Sequence, residues 1–238
     1  MKIEFWHERW ESNQLGFHQT EVNPLLREHW SKLGVPTGAT VFVPLCGKSL
    51  DMLWLRAAGH AVIGIELSPI AIRDFFSAAE IESTSSATPG AASIAGDAND
   101  VISNPGSLVR SSGGGFDLYC GDFFLLEPAN LAGVRAVYDR ASLIALPPEM
   151  RMRYAEHLAG VLPGEVSIFL ITIEYDQSQM KGPPHSVPAD EIARLFGDSF
   201  EIECLGSSGP EAPPDRFRDR GIDSLCESVW RLERKTAR

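Results

Sequence analysis

The stretch VFVPLCGKSLDMLWL, residues 41–55, decides how this chain is read. Val41 to Leu45 is an apolar run of strand character, and Leu50, Leu53, Trp54 and Ala57 follow at helical spacing. A tight turn with Gly47, Lys48 and Ser49 joins them. Strand, glycine turn and helix is how many proteins hold a nucleotide. Gly-Lys-Ser points first to ATP. A phosphate loop, however, needs Gly-x-x-x-x-Gly-Lys-Ser/Thr, and the place of its first glycine is taken by Phe42. The turn is too short and too bulky to wrap phosphates in backbone N–H groups. A dinucleotide fingerprint needs three glycines, and Gly47 stands alone in the turn. What remains is a ligand that lies over a strand–turn–helix crevice without a pyrophosphate. Ser49 is expected to cap the following helix, which ends near Gly59, and Lys48 to face solvent.

Working outward, HAVIGIEL (60–67) reads as a second strand, and Ser68-Pro69 opens a helix with Ile72, Phe75, Phe76 and Ala79 on one face. Residues 82–115 are rich in Ser, Ala and Gly and read as an irregular insert, a loop or ragged hairpin. Strand character returns at FDLYCGDFF (116–124), RAVYDRASL (135–143) and EVSIFLITIEY (165–175). GPPHSVP (182–188) is a stiff loop ahead of the helix ADEIARLFG, and the strands FEIECLG and LCESVWRLER close the chain. Strands alternating with helices predict an α/β fold with a mostly parallel sheet covered on both faces. The last two strands lack a full helix between them, which predicts an antiparallel C-terminal edge pair.

Composition bounds the function. No compositional break divides the 238 residues, so one domain over 1–238 is expected. With 21 Lys plus Arg against 32 Asp plus Glu, the net charge of −11 argues against general nucleic-acid binding. Cys46, Cys120, Cys204 and Cys226 form no CxxC pair, so no metal site is expected, and they read as reduced thiols of a cytoplasmic protein. The N-terminus MKIEFWHERWE is charged and aromatic, unlike a signal peptide, and the apolar run near Val166 to Ile173 is too short to span a membrane. A small-molecule substrate, no membrane or nucleic-acid partner, and a monomer are the expectations.

The second strand ends in Glu66, about 20 residues past the glycine turn, where an acid can accept hydrogen bonds from ribose hydroxyls. Glycine turn, ribose acid and no phosphate loop suggest a nucleoside ligand. S-adenosylmethionine fits, with ribose, adenine, no phosphate, and a sulfonium that suits an acidic pocket. In GDFF, Asp122 could take a polar edge of the base and Phe123 an apolar face; Asp122 also reads as a helix N-cap. A rival, Asp97, lies in the insert and too far from the next strand for a normal βα connection. Trp6 and Trp10 stand four apart on one helix face, either as an aromatic brace or as a lid that excludes water, within a covering segment of residues 1–30. The basic cluster DRFRDR (215–220) is either a solvated loop or a contact to a polar acceptor.

FWHERWESNQLGFHQ, VFVPLCGKSLDMLWL, GIELS, LYCGDFF, YDRASLIAL, GPPHSVP and GIDSL together make the chain resemble the thiopurine S-methyltransferase family, the bacterial type most closely. The resemblance runs nearly end to end. It implies a class I methyltransferase fold with a seven-stranded sheet and a covering N-terminal segment. It implies S-adenosylmethionine as cofactor and methyl transfer to the sulfur of aromatic and heterocyclic thiols. By the same resemblance, Trp6 through Phe17 line the cofactor and acceptor sites, with Trp10 and Phe17 shielding them. Leu45 and Gly47 meet the methionine end of the cofactor, Glu66 the ribose, and Asp122 and Phe123 the adenine side. Arg140 matches an arginine near cofactor and acceptor, and Arg216 a second acceptor-side arginine, with Arg218 and Arg220 equally available. No dedicated base stands out, since heteroaryl thiols ionise near neutral pH; His18 and His185 are the nearest candidates. Alternatives are selenium or tellurium species, simple thiols or halide as acceptor, a nicotinamide-dependent oxidoreductase, and a catalytically silent cofactor-binding module.

Overall fold

A computed structural model describes residues 3–16, 18–87, 106–209 and 212–235. The seven expected strands all form: β1 (Thr40–Val43), β2 (Ala61–Glu66), β5 (Phe116–Cys120), β6 (Val134–Asp139), β7 (Ser167–Glu174), β8 (Phe200–Ser207) and β9 (Cys226–Arg234). Two more come from the insert. Thr84–Ala87 (β3) pairs antiparallel with Val109–Gly113 (β4), and β4 pairs antiparallel with β5. Among the described residues the sheet therefore has nine strands, in the order β3-β4-β5-β2-β1-β6-β7-β9-β8. The extra pair is hard to see in sequence because its outer strand, TSSA, carries no apolar alternation. The rest of the insert, with Asp97, lies outside the described residues.

β1 runs parallel to both β2 and β6, β2 to β5, and β6 to β7. β9 lies antiparallel between β7 and β8, as the missing crossover helix predicts. Alternation along the strands sorts two cores. Val41, Val43, Phe169 and Ile171 face one layer, where Leu26, Trp30, Met52, Leu55 and Phe75 are buried. Phe42, Val137, Ile168 and Leu170 face the other, packed with Tyr154, Leu158, Ile192 and Phe196. The first layer is built by α2 (Pro24–His29), α3 (Leu50–Ala57) and α4 (Pro69–Ala78), the second by α5 (Pro148–Val161) and α6 (Ala189–Phe196). Short α7 (Asp215–Arg218) sits with Phe217 in a small cluster that includes Ile173 and Tyr175. No helix among the described residues is long and apolar enough to cross a membrane.

The segment expected to cover the site through residue 30 divides in two. Leu26 and Trp30 are core residues, because α2 lays its apolar side on the sheet. Only α1 (Ile3–Glu11) and the loop after it lie over the strand ends.

Candidate active site

The chain steps from β1 to β2 on one side and places β6 on the other, so the crevice opens at the C-terminal ends of β1, β2 and β6. The turn after β1 shapes its floor. Leu45 takes φ +44°, a left-handed conformation that costs a branched aliphatic residue about 1–3 kcal/mol. Two bonds hold it there: Cys46 N–H to the Ile65 carbonyl at 2.9 Å, and Ser142 Oγ to the Pro44 carbonyl at 2.8 Å. Gly47 follows at φ +53°, and a Cβ there would meet Cζ2 of Trp10 at 3.4 Å. Trp10 is thus buried directly on the glycine turn. Ser49 caps α3 as expected, its Oγ accepting the Asp51 N–H at 3.2 Å. Lys48 does not simply face solvent. It lines the crevice, stands 5.8 Å from the Trp10 ring and pairs with Asp74 at 3.5 Å, because α1 and α4 close over it.

Glu66 is buried, with 7% of its surface exposed, rather than a free strand-end acid. Its Oε2 accepts the Gly47 N–H and its Oε1 the Ser68 N–H, each at 2.9 Å. Burial pushes its pKa up, and the backbone donors of Ser68, Gly47 and Leu67 partly offset that. Ser68 opens α4 by backbone position alone; its Oγ is buried with no hydrogen-bond partner among the described residues. Asp122 performs the N-cap role, accepting the Phe124 N–H at 3.0 Å, while its residue still borders the crevice. Phe123 packs inward on Tyr154, 4.9 Å between ring centroids, and Arg153 stacks 3.8 Å over the neighbouring Phe124.

Arg140, just past β6, is fixed by Asp51 and Ser49: Nε to Asp51 Oδ2 and a terminal nitrogen to Ser49 Oγ, both 3.3 Å. Asp51 is a hub. It also accepts the Tyr138 hydroxyl at 2.9 Å and the Asn23 N–H at 2.8 Å, tying β6, α3 and the N-terminal segment together. Asp139 accepts the Ser142 N–H and the Tyr154 hydroxyl, which sets the turn beside Arg140.

Trp6, Trp10, Leu45, Gly47, Glu66, Asp122, Phe123 and Arg140, the eight residues expected around the cofactor, all line one cavity of about 290 Å³. A second cavity of about 420 Å³ shares Trp6, Arg140, Ala141 and Ala145 with it and extends toward Arg216, Pro183 and Pro184. Arg220 borders the second cavity as well, whereas Arg218 turns to Asp215. Phe17 lies outside the described residues. His18 lines the first cavity; burial, Lys48 and Arg140 lower its pKa against the opposing charge of Asp51, so it is neutral at physiological pH. His185 lines neither cavity. Sequence reasoning missed Asp51, Phe124, Arg153 and Glu227. Only Asp51 left a signal, as an acid in the first turn of the helix after Gly47.

These residues fit S-adenosylmethionine. Gly47 takes the positive φ that the turn needs to bring its backbone to the crevice, and Glu66 and Asp122 keep lone pairs beyond their backbone bonds. No array of backbone donors suited to a pyrophosphate appears, since the Gly47 N–H is spent on Glu66.

Comparison with known proteins agrees. Among solved structures, the chain is similar in fold to a Burkholderia thailandensis 1,6-didemethyltoxoflavin-N1-methyltransferase with bound S-adenosylhomocysteine (TM-score 0.60, 13% identity, 98% of this chain and 87% of that one). It is similar also to a SAM-dependent methyltransferase from Methanosarcina mazei (TM-score 0.58, 15% identity, 91% and 100%). In sequence it is 45% identical to the thiopurine S-methyltransferase of Pseudomonas fluorescens over 232 residues, 98% of this chain and 99% of the relative. It is 44% identical to that of Methylococcus capsulatus, covering 98% and 97%. The family model for thiopurine S-methyltransferase matches residues 1–235, and the chain belongs to that family.

Proposed function

We propose that the protein transfers the methyl group of S-adenosylmethionine to the sulfur of aromatic and heterocyclic thiols. The observation that carries this reading is a pair of cavities meeting at Arg140, one bearing the cofactor-side residues and the other open to an acceptor. Family membership and the methyltransferase fold support it. We read the whole chain as one methyltransferase unit. A nicotinamide reading gains nothing, since the turn after β1 offers Gly47 alone.

When bound, S-adenosylmethionine supplies a methyl group already activated on a sulfonium. The protein's task is to place sulfur in line with it. Glu66 holds the ribose hydroxyls and Asp122 with Phe123 the adenine side. Leu45 and Gly47 bring backbone close to the methionine end. Trp6 and Trp10 cover the reacting region and exclude water. Arg140, immobilised by Asp51 and Ser49, presents its remaining N–H groups to an incoming thiolate. Orientation of this kind supplies up to about 7–11 kcal/mol of a barrier in well-aligned systems.

The test is transfer of labelled methyl groups to a panel of aryl thiols, heteroaryl thiols, simple alkyl thiols, halide, and selenium and tellurium oxyanions. Aryl and heteroaryl thiols are expected to be the best acceptors. Labelling confined to chalcogen oxyanions or halide would overturn the reading.

A further inference from the structure

Glu227 is the one carboxylate among the residues lining the second cavity. It stands on β9 opposite Ile173 of β7, two residues before the buried Val229 on the same strand face. Its backbone is fixed on both sides, its N–H donating to Ser208 Oγ and its carbonyl accepting the Ser208 N–H, both at 2.9 Å. Its half-buried side chain has no hydrogen bond or ion pair among the described residues. Carboxylates in such places are costly unless a donor reaches them. Burial pushes its pKa up, while the positive charges of Arg216 and Arg140 pull it partly back.

The acceptor sulfur has to sit where the two cavities meet, against Arg140 and Trp6. A carbocyclic thiol brings no donor for the carboxylate that lines this cavity. A heterocyclic thione does: its ring N–H lies beside the C=S group, so sulfur and N–H enter together. Alkylation of the sulfur makes the ring cationic and its N–H strongly acidic, and a carboxylate within reach takes that proton.

We propose that Glu227 binds the ring N–H of a heterocyclic thione and accepts its proton as sulfur is methylated. The inference rests on the second cavity being the acceptor site. The new carbon–sulfur bond forms with a lone pair of the thione sulfur. The donor's carbon–sulfur bond breaks and leaves its electron pair on the donor sulfur. The N–H proton passes to Glu227, the ring closes its electrons into a neutral methylthio heterocycle, and Glu227 returns the proton to water. The charged groups lining the cavity with Glu227 are Arg9 from α1, Arg140 after β6, and Arg216 and Arg220 at and just after α7. β7 and the proline loop bring Ile171, Ile173, Pro183 and Pro184, none of which titrates.

The test compares 2-thiopyridone, which has the N–H, with thiophenol, which lacks it. With S-adenosylhomocysteine bound and no turnover, Glu227→Gln should weaken 2-thiopyridone binding by about 10-fold or more relative to thiophenol. In turnover, the ratio of kcat/KM values for the two acceptors should fall by about 100-fold. In the wild-type protein with S-adenosylhomocysteine bound, 2-thiopyridone, a neutral thione across this range, should bind more weakly as acid protonates Glu227, a dependence that needs no variant to fold. Glu227→Asp should restore part of the ratio. Equal losses for both acceptors, or wild-type binding of 2-thiopyridone flat with pH, would overturn the proposal. Failure of the wild-type protein to methylate either acceptor would instead count against the function proposed above.

Discussion

The Gly47 N–H and the Glu66 carboxylate meet at 2.9 Å, so the turn after β1 is pinned to the end of β2 by a buried acid. The residue proposed to hold the ribose is therefore also a strut of the crevice. Glu66→Gln is expected to weaken S-adenosylhomocysteine binding by about 10- to 100-fold, through loss of charge-assisted hydrogen bonds. It should also cost about 1–3 kcal/mol of stability, because an amide can turn its NH2 toward a backbone donor. Calorimetric titration and urea unfolding measure the two effects. An unchanged dissociation constant would remove the ribose assignment.

The same residue gives binding a pH dependence. Its pKa in the folded protein is raised above the usual 4.5 by burial. For stability, a raised carboxyl pKa contributes most below the unfolded value, and that contribution is lost as pH rises through the folded pKa. Ribose hydroxyls donate to the ionised form, so cofactor affinity should run the other way. The dissociation constant of S-adenosylhomocysteine is expected to rise as pH falls through that pKa in the wild-type protein. In Glu66→Gln it should be flatter. Parallel curves for the two proteins would place the titration elsewhere.

Asp51 should be the most sensitive polar residue of the site. Asp51→Ala strips the partner from Arg140 and leaves the Tyr138 hydroxyl and Asn23 N–H unmatched. Breaking such a buried pair costs about 3–5 kcal/mol, readable as a lowered urea midpoint. Asp51→Asn should unfold less readily than Asp51→Ala yet still lose methyl transfer, since Arg140 would no longer be held. If Asp51→Asn keeps wild-type kcat, the clamp on Arg140 is dispensable.

Lys48→Ala should lower methyl transfer by no more than a few-fold, through a looser seat for Trp10 rather than through any phosphate contact. No saturable ATP binding should appear in either protein by fluorescence titration. ATP binding abolished by the substitution would reverse the reading of the turn.

Removal of residues 1–17 takes away α1 and no strand of the sheet, while Asn23 keeps its bond to Asp51. The shortened chain is expected to retain its far-UV circular dichroism and to lose nearly all transfer to aryl thiols, as water enters the site. In the intact chain, tryptophan emission should change on adding S-adenosylhomocysteine. Near-normal turnover by the shortened protein would reduce α1 to a brace.

The parallel strands were legible because their middles are buried on both faces and read as apolar runs, as at residues 62–65 and 168–171. Glu66, Asp122 and Phe123 could be nominated from their offsets to those strands, whereas Leu45 and Arg140 were nominated only through the family resemblance; all five line one cavity. β3 and β4 were legible only as the hairpin alternative for the insert, because a sheet edge of serines is held by backbone pairing that leaves no pattern of side chains. Asp51 and Glu227 were hidden for a different reason. Each gains its meaning from partners far along the chain, Asn23, Tyr138 and Arg140 for one, Arg216 and Arg140 for the other, and local spacing carries no record of such meetings.

Trp6, Arg140, Ala141 and Ala145 are walls of both cavities at once. Occupancy of either side therefore presses on residues that the other side uses. In the reading proposed above this makes the two ligands thermodynamically linked, so if the cofactor product raises acceptor affinity, the acceptor raises the product's by the same factor. A tightly held product would then slow its own replacement whenever acceptor is abundant, so turnover should decline at high acceptor concentration.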